Sequence, residues 1–300
     1  MYYLGIDGGG TKTVFALADE RSNILRRVTL GPTNPVDIGI EAVLSTLGEG
    51  ISQALQGINP CEVSVFAGIA GGITGENQTR IRAFLDTLGF AGADNGSDAQ
   101  NIVSAGLGRE DGICTIMGTG SVTFVQHRGE SIRLGGYGYL FDEGGNGYTI
   151  GRDAILACLK AEEGSGETTM LRELLLQTIN APTVLSALSA FYGGGKKQIA
   201  SYAPLVFEAY DRGDATAARI LQRNMKCVAY SLRDAKNKLQ TTHPVCTVLA
   251  GGLTARADVL IPMIREQLQD GAAYDIQVLQ QPPVMGALWL AGNAAGGDLI

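Results

Sequence analysis

Residues 4–17 read LGIDGGGTKTVFAL: an apolar run, three consecutive glycines followed by Thr and Lys, and a second apolar run. Runs of this length around a Gly-rich turn predict strand, tight turn, strand. The same plan returns at residues 113–126, ICTIMGTGSVTFVQ, about one domain length downstream. Backbone N–H groups converge on an anion only where no Cβ stands between them, and Gly beside small hydroxyl residues leaves that space open. Gly8, Gly9, Gly10, Thr11 and Lys12 meet the requirement in the first turn, and Gly118, Thr119, Gly120 and Ser121 in the second. Neither turn is a G-x-x-x-x-G-K-[ST] loop. Neither completes G-x-G-x-x-G, because Thr13 and Thr123 occupy the last position, so a dinucleotide-binding fold is not supported. Each turn alone reads equally well as a hairpin without a ligand. The pair, with Asp7 placed just before the first, favours anion binding, and the Asp7 carboxylate is positioned to hold a Mg²⁺-bound water near phosphate.

Outward from these hairpins, strand-like runs recur at 24–30, 63–70 and 245–250. Helical patterns fall at 36–56, 76–88, 98–107, 148–161, 169–179, 183–191, 198–210 and 214–240. The segment 284–295, entered through Pro282 and Pro283, predicts a largely buried helix. Strands leading and helices following in each half predict an α/β protein of two layered domains. The boundary is expected at GREDG, giving 1–110 and 111–300, with the last helix packing back on the N-terminal domain. The 300 residues are enough for two separate cores.

The net charge of −7 makes a nucleic-acid backbone or an anionic membrane a poor partner. The beginning of the chain lacks the pattern of an export signal, and no apolar stretch reaches membrane-spanning length. Five cysteines without a C-x-x-C pair and two histidines argue against a zinc or iron–sulfur site and for reduced thiols in the cytoplasm. His127 and His243 read as surface or turn residues, Lys196 and Lys197 as a solvated loop after Gly193–Gly195, and Trp289 as core.

LGIDGGGTKT, GTGS, GGYGYLFDEGGNGYTIGR and VLAGGL, in this order and at these separations, resemble the BadF/BadG-type ATPase and N-acetylglucosamine kinase group of the sugar kinase/Hsp70/actin superfamily. The resemblance implies an actin-like (ribonuclease H-like), duplicated two-domain ATPase fold with a central cleft. It also implies ATP and Mg²⁺ as cofactors. Gly9, Gly10, Thr11 and Lys12 would meet the β- and γ-phosphates, Gly118, Thr119, Gly120 and Ser121 would close over them, and Gly251, Gly252 and Leu253 would border the adenosine.

The same resemblance makes Asp98, in GSDAQN, the base that accepts the proton of a sugar hydroxyl, a task one well-placed carboxylate can perform. Read from the residues alone, Asp98 is first an N-cap or first-turn acid of helix 98–107. The segment FAGADNGS lacks the apolar strand expected to deliver a base, so Asp94 stays open for the same role. The resemblance places Asn34, Thr119, Gly135, Gly136 and Asp142 on the sugar side. Asn34 before Pro35 is otherwise a turn former, and Glu143 reads as a helix-capping acid.

The implied activity is phosphoryl transfer from ATP to the 6-hydroxyl of N-acetylglucosamine or N-acetylmuramic acid, by a homodimer with a small-molecule partner. Glucosamine as acceptor and an ATP-driven switch without a sugar are the alternatives. The ROK sugar kinases match less well, because their cysteine-rich zinc motif is missing.

Overall fold

The structure is a computed structural model, described for residues 1–294. The chain divides into two compact units, one of Met1–Arg109 joined by the segment from Leu279 onward, the other of Glu110–Val278.

The first unit runs β1 (Tyr2–Gly8), β2 (Thr13–Asp19), β3 (Ile24–Leu30), α1 (Pro35–Ile38), α2 (Ile40–Leu55), β4 (Val63–Ile69), α3 (Asn77–Thr87), β5 (Gly92–Gly96) and α4 (Asp98–Leu107). In the second follow β6 (Gly112–Met117), β7 (Ser121–His127), β8 (Glu130–Leu134), α5 (Gly147–Glu162), α6 (Leu171–Ile179), α7 (Leu188–Ala200), α8 (Ala203–Asp211), α9 (Ala215–Leu239), β9 (Val245–Ala250), α10 (Ala257–Gln267) and β10 (Tyr274–Val278). The chain then returns to the first unit with α11 (Pro283–Ala294).

Both sheets have one topology. The first is ordered β3-β2-β1-β4-β5 and the second β8-β7-β6-β9-β10. In each, the leading hairpin is antiparallel and the last two strands run parallel to the first. The repeat seen between the two Gly-rich hairpins is therefore a repeat of whole sheets.

Period-two alternation sends the strands' side chains to two helical layers in the first unit. Leu4, Ile6, Phe15 and Leu17 pack with Val43, Leu47 and Ile51 of α2. Tyr3, Ala16, Ala18 and Phe66 pack with Val284, Ala287, Leu288 and Ala291 of α11. Each fully buried Leu or Val contributes about 1.5–3 kcal/mol, so α11 is a substantial part of this core. Its backbone comes so close that a Cβ on Gly5 would stand 2.6 Å from the Leu288 nitrogen. In the second unit α9 buries Ile220, Leu221, Met225, Val228, Leu232 and Leu239, a stripe at three- and four-residue spacing.

Five elements differ from the sequence expectation. GADNG is a strand after all: β5 pairs in parallel with β4, Ser64 against Gly92 through Gly68 against Gly96. It lies at the edge of its sheet, so one ladder holds it and an apolar alternation is not required. Strand β8 is an edge strand whose side chains are mostly exposed, and β10 is a five-residue edge strand. Helix α10 carries Pro262 inside it, which hides its period. The Gly-rich segment before Lys196 belongs to α7, kinked at Gly195 (φ 62°, ψ −164°), rather than to a free loop.

Candidate active site

Asp7 lies one residue from the end of β1, where β1 and the parallel β4 bring it level with Gly68. Asn101, on α4, fills the space at this point: its Nδ2 donates to Asp7 Oδ1 at 2.9 Å, to Gly68 O at 3.2 Å and to Ile6 O at 3.3 Å. Glycine at 68 leaves room for this side chain, since a Cβ there would stand 2.1 Å from Asn101 Oδ1 and displace it. That oxygen is itself buried without a hydrogen-bond partner among the described residues.

The first turn is held from below. Gly9 N donates to Lys12 O at 3.0 Å, and Thr33 N donates to Gly9 O at 3.0 Å. Buried Thr13 Oγ1 donates to Gly31 O at 2.8 Å and lies 2.8 Å from Thr33 Oγ1. Gly10, Thr11 and Lys12 at the tip are exposed. Asn34 caps α1, accepting from Val36 N at 3.0 Å, and donates to Asp37 Oδ2 at 3.1 Å. The same Asp37 oxygen would lie 3.4 Å from a Cβ on Gly10, so Asn34 and Asp37 flank the turn.

Asp98 is the first residue of α4. The cap belongs to Ser97, paired with Gln100 in a capping box in which Ser97 N donates to Gln100 Oε1 at 2.9 Å. Burial pushes the Asp98 carboxyl above its ordinary value, opposed by the N–H groups of Ala99 and of Asp98 itself. Burial likewise raises Asp7; the Asn101 hydrogen bond opposes it, the Asp98 charge adds to it, and Lys12 lowers it. Two partly desolvated carboxylates thus share one neighbourhood. Asp94 is different: it is exposed and accepts from Arg82 Nη1 at 3.3 Å.

In the second unit the Gly118–Ser121 turn rests on the start of α5. Gly147 N donates to Gly118 O at 2.8 Å and Tyr148 N to Thr119 O at 3.1 Å. Ser121 Oγ donates to Gly144 O at 3.1 Å and accepts from Asn146 Nδ2 at 3.2 Å. Gly251 (φ +94°) brings the AGG segment against the end of β6, where a Cβ would stand 2.4 Å from Met117 O. A cavity of about 460 Å³ lies here, lined by Gly118, Thr119, Gly147, Lys197, Gly252 and Leu253 among others. Lys197, read from the sequence as part of a solvated loop, is among the lining residues, two positions after the kink at Gly195.

Ser121, Gly135, Gly136 and Asp142 line a second cavity of about 310 Å³, together with Glu143 and Asp234. A Cβ on Gly120 would lie 3.5 Å from Asp142 Oδ2, so this acid borders the turn. Gly135 and Gly136 both have positive φ, and their carbonyls accept from Arg133. The structure therefore gathers the expected sugar-side residues of this unit around one cavity and places Thr119 on the other.

Over residues 4–291 the sequence matches the BadF/BadG/BcrA/BcrD ATPase family. The chain belongs to that family. Among relatives, an N-acetylmuramic acid/N-acetylglucosamine kinase of Clostridium acetobutylicum is 31% identical over 276 residues, 89% of this chain and 90% of that one. An N-acetyl-D-glucosamine kinase of Dictyostelium discoideum is 27% identical, covering 97% of this chain and 98% of its own. In three dimensions, a candidate N-acetylglucosamine kinase from Chromobacterium violaceum superposes with a TM-score of 0.73 at 21% identity, over 97% and 98% of the two chains. With the duplicated sheets, this likeness establishes the actin-like, two-domain α/β fold.

Membership in an ATPase family gives the two glycine turns a ligand class. The open 460 Å³ cavity suits part of a nucleotide: it is bordered by Gly118, Thr119 and Gly147 and by one cation, Lys197. Asp7 fits Mg²⁺ as a hard oxygen donor. No cage of three or more His, Cys, Asp or Glu side chains exists among the described residues, and Mg²⁺ bound through one or two carboxylates and substrate phosphates needs none.

Proposed function

We propose that this chain is an ATP-dependent amino-sugar kinase that transfers the γ-phosphoryl group to the 6-hydroxyl of N-acetylglucosamine, N-acetylmuramic acid or both. The observation that carries the reading is Asp98, a partly buried carboxyl with raised pKa beside Asp7, at the end of the sheet that also presents the first glycine turn. A pure binding module has no use for such a base. Bound Mg·ATP supplies the phosphoryl group and neutralises part of its charge.

The chain's own residues do the rest. Asp98 accepts the proton of the attacking hydroxyl, and Asp7 orients the metal's water shell. Backbone N–H groups of Gly10–Lys12 and Thr119–Ser121 hold phosphate oxygens, Gly9 N and Gly118 N being used to close the turns themselves, while Gly251 and Gly252 border the adenosine. Asn34, Asp142, Thr119, Gly135 and Gly136 orient the sugar. In this reading the enzyme works as a homodimer in the cytoplasm, a compartment consistent with five cysteines that form no disulfide.

One observation favours glucosamine as a second acceptor: Asp142, Glu143 and Asp234 make the 310 Å³ cavity acidic, which suits a 2-ammonium group. The deciding experiment is ADP release with Mg·ATP against N-acetylglucosamine, N-acetylmuramic acid, glucosamine, glucose and no sugar. Strong stimulation by one amino sugar is expected. Turnover independent of sugar would replace the kinase reading with an ATP-driven switch.

A further inference from the structure

The geometry points to Asn224 as a positioning residue that locks the nucleotide-side turn and the Asp142 loop of the second unit into one piece; the functional meaning of those segments rests on the kinase reading above. Asn224 is buried on α9, and its carboxamide is bonded on both sides. Its Oδ1 accepts from Gly145 N at 3.0 Å and from Thr149 Oγ1 at 2.6 Å. Its Nδ2 donates to Ile220 O at 2.9 Å and to Asp153 Oδ2 at 3.4 Å. Asp153 is buried and is neutralised from the outside by Arg152 and Arg223.

The two groups that donate to Asn224 bracket the start of α5. Gly145 follows the Asp142-Glu143 pair, and Thr149 completes the capping box with Asn146. Gly144 and Gly145 lie so flat on α9 that a Cβ on either would come within 2.8 Å of Cys227 or 2.5 Å of Val228, respectively. From that fixed start, Asn146 reaches Ser121, Gly147 N holds Gly118 O, and Tyr148 N holds Thr119 O. One amide therefore sets the position of a loop and a turn that are far apart in sequence. A general core role would not require this pattern, because an apolar residue of similar volume could fill the same space.

The two roles predict opposite rankings of two variants. Asn224→Leu keeps the volume and removes the acceptor; Asn224→Asp keeps the acceptor and places a second carboxylate beside Asp153. If Asn224 were only core, the Leu variant would be the better tolerated. As a positioning residue, Asn224→Leu should speed amide hydrogen exchange in segments 117–121 and 142–149 together, by about tenfold or more. Asn224→Asp should leave exchange in those segments within about threefold of wild type, even if its overall stability falls. The kcat/KM for ATP should drop about tenfold in the Leu variant only.

Wild-type exchange in both segments of the Leu variant, or an Asp variant that exchanges as fast as the Leu variant, would overturn the assignment. Should Asn224→Leu not fold, Asn224→Ala also removes the acceptor and must speed exchange in both segments more than Asn224→Asp does for the assignment to stand. The exchange readout needs no sugar, so a wild-type enzyme that phosphorylates none of the sugars would defeat the kinase reading without deciding the role of Asn224.

Discussion

Asn101 Nδ2 stands 2.9 Å from Asp7 Oδ1, and Asn101 sits one helical turn after Asp98 on α4. A single side chain thereby ties the acid at the end of β1 to the helix that carries the proposed base. The same amide satisfies the carbonyls of Ile6 and Gly68. Asn101→Leu removes the donor to Asp7 Oδ1 and one donor to each of these carbonyls, at a cost of about 1–3 kcal/mol in urea unfolding. It should also raise the Mg²⁺ concentration needed for half-maximal activity severalfold, because Asp7 loses its orientation. Lost stability with an unchanged Mg²⁺ requirement would confine Asn101 to a packing role.

Asp98→Asn is expected to lower transfer by about 10²–10⁴-fold while ATP still binds, since it removes the base and adds no bulk. It should also stabilise the protein at neutral pH. A carboxyl raised above its ordinary 3.8 binds more protons folded than unfolded, so its ionisation costs stability. That cost is absent below pH 3.8 and complete once the pH has risen through the folded-state pKa. Thermal melting at pH 7 should therefore rise in Asp98→Asn, with the gain shrinking toward pH 4. In the wild type, the acid limb of kcat/KM should lie above the range of an exposed aspartate. A variant of wild-type activity, or one destabilised at pH 7, would return Asp98 to the role of a helix-start acid.

The parts of the fold legible in the sequence are those whose chemistry is concentrated in few residues. Apolar runs around LGIDGGGTKT and ICTIMGTGS leave little choice but hairpins, and their glycines mark where backbone must stay bare. Strand β5 was not legible because an edge strand takes its order from one neighbour's ladder; GADNG has no pattern of its own. Asn101 and Asn224 were invisible for another reason. A buried amide inside a helical pattern looks like any polar residue until the fold shows which carbonyls and N–H groups it meets. The place of Lys197 was hidden because Gly193–Gly195 signals a loop, whereas these glycines belong to a helix kinked at Gly195, and Lys197 lines the cavity.

Lys197 should matter for nucleotide and not for acceptor. It lines the 460 Å³ cavity with Gly118 and Thr119, and it is the cavity's one lysine or arginine among the described residues. A charge-assisted hydrogen bond to phosphate is worth about 1.5–3 kcal/mol, so Lys197→Met should raise the KM for ATP by about ten- to a hundredfold. The KM for the sugar should change less than about twofold, since Asp142, Gly135 and Gly136 line the other cavity. Equal increases in both constants would mean that Lys197 acts by shaping the unit and not by meeting the nucleotide.

Gly251 and Gly252 are neighbours with opposite tolerances. Gly251 has φ +94°, and an added Cβ would stand 2.4 Å from the oxygen and 2.6 Å from the carbonyl carbon of Met117. Those are backbone atoms of β6 that cannot swing aside, so Gly251→Ala combines a disfavoured backbone conformation with a clash. At Gly252 an added Cβ would meet nothing within 4 Å. Gly251→Ala should therefore lose at least about 1–3 kcal/mol, seen as a lower melting temperature, and should bind a fluorescent ATP analogue weakly. Gly252→Ala should melt like the wild type. If it nevertheless binds the analogue more weakly, its Cβ occupies space the nucleotide uses, as expected of a glycine bordering the adenosine. If it melts and binds as wild type while Gly251→Ala loses stability alone, the AGG segment shapes the end of β6 without touching the nucleotide.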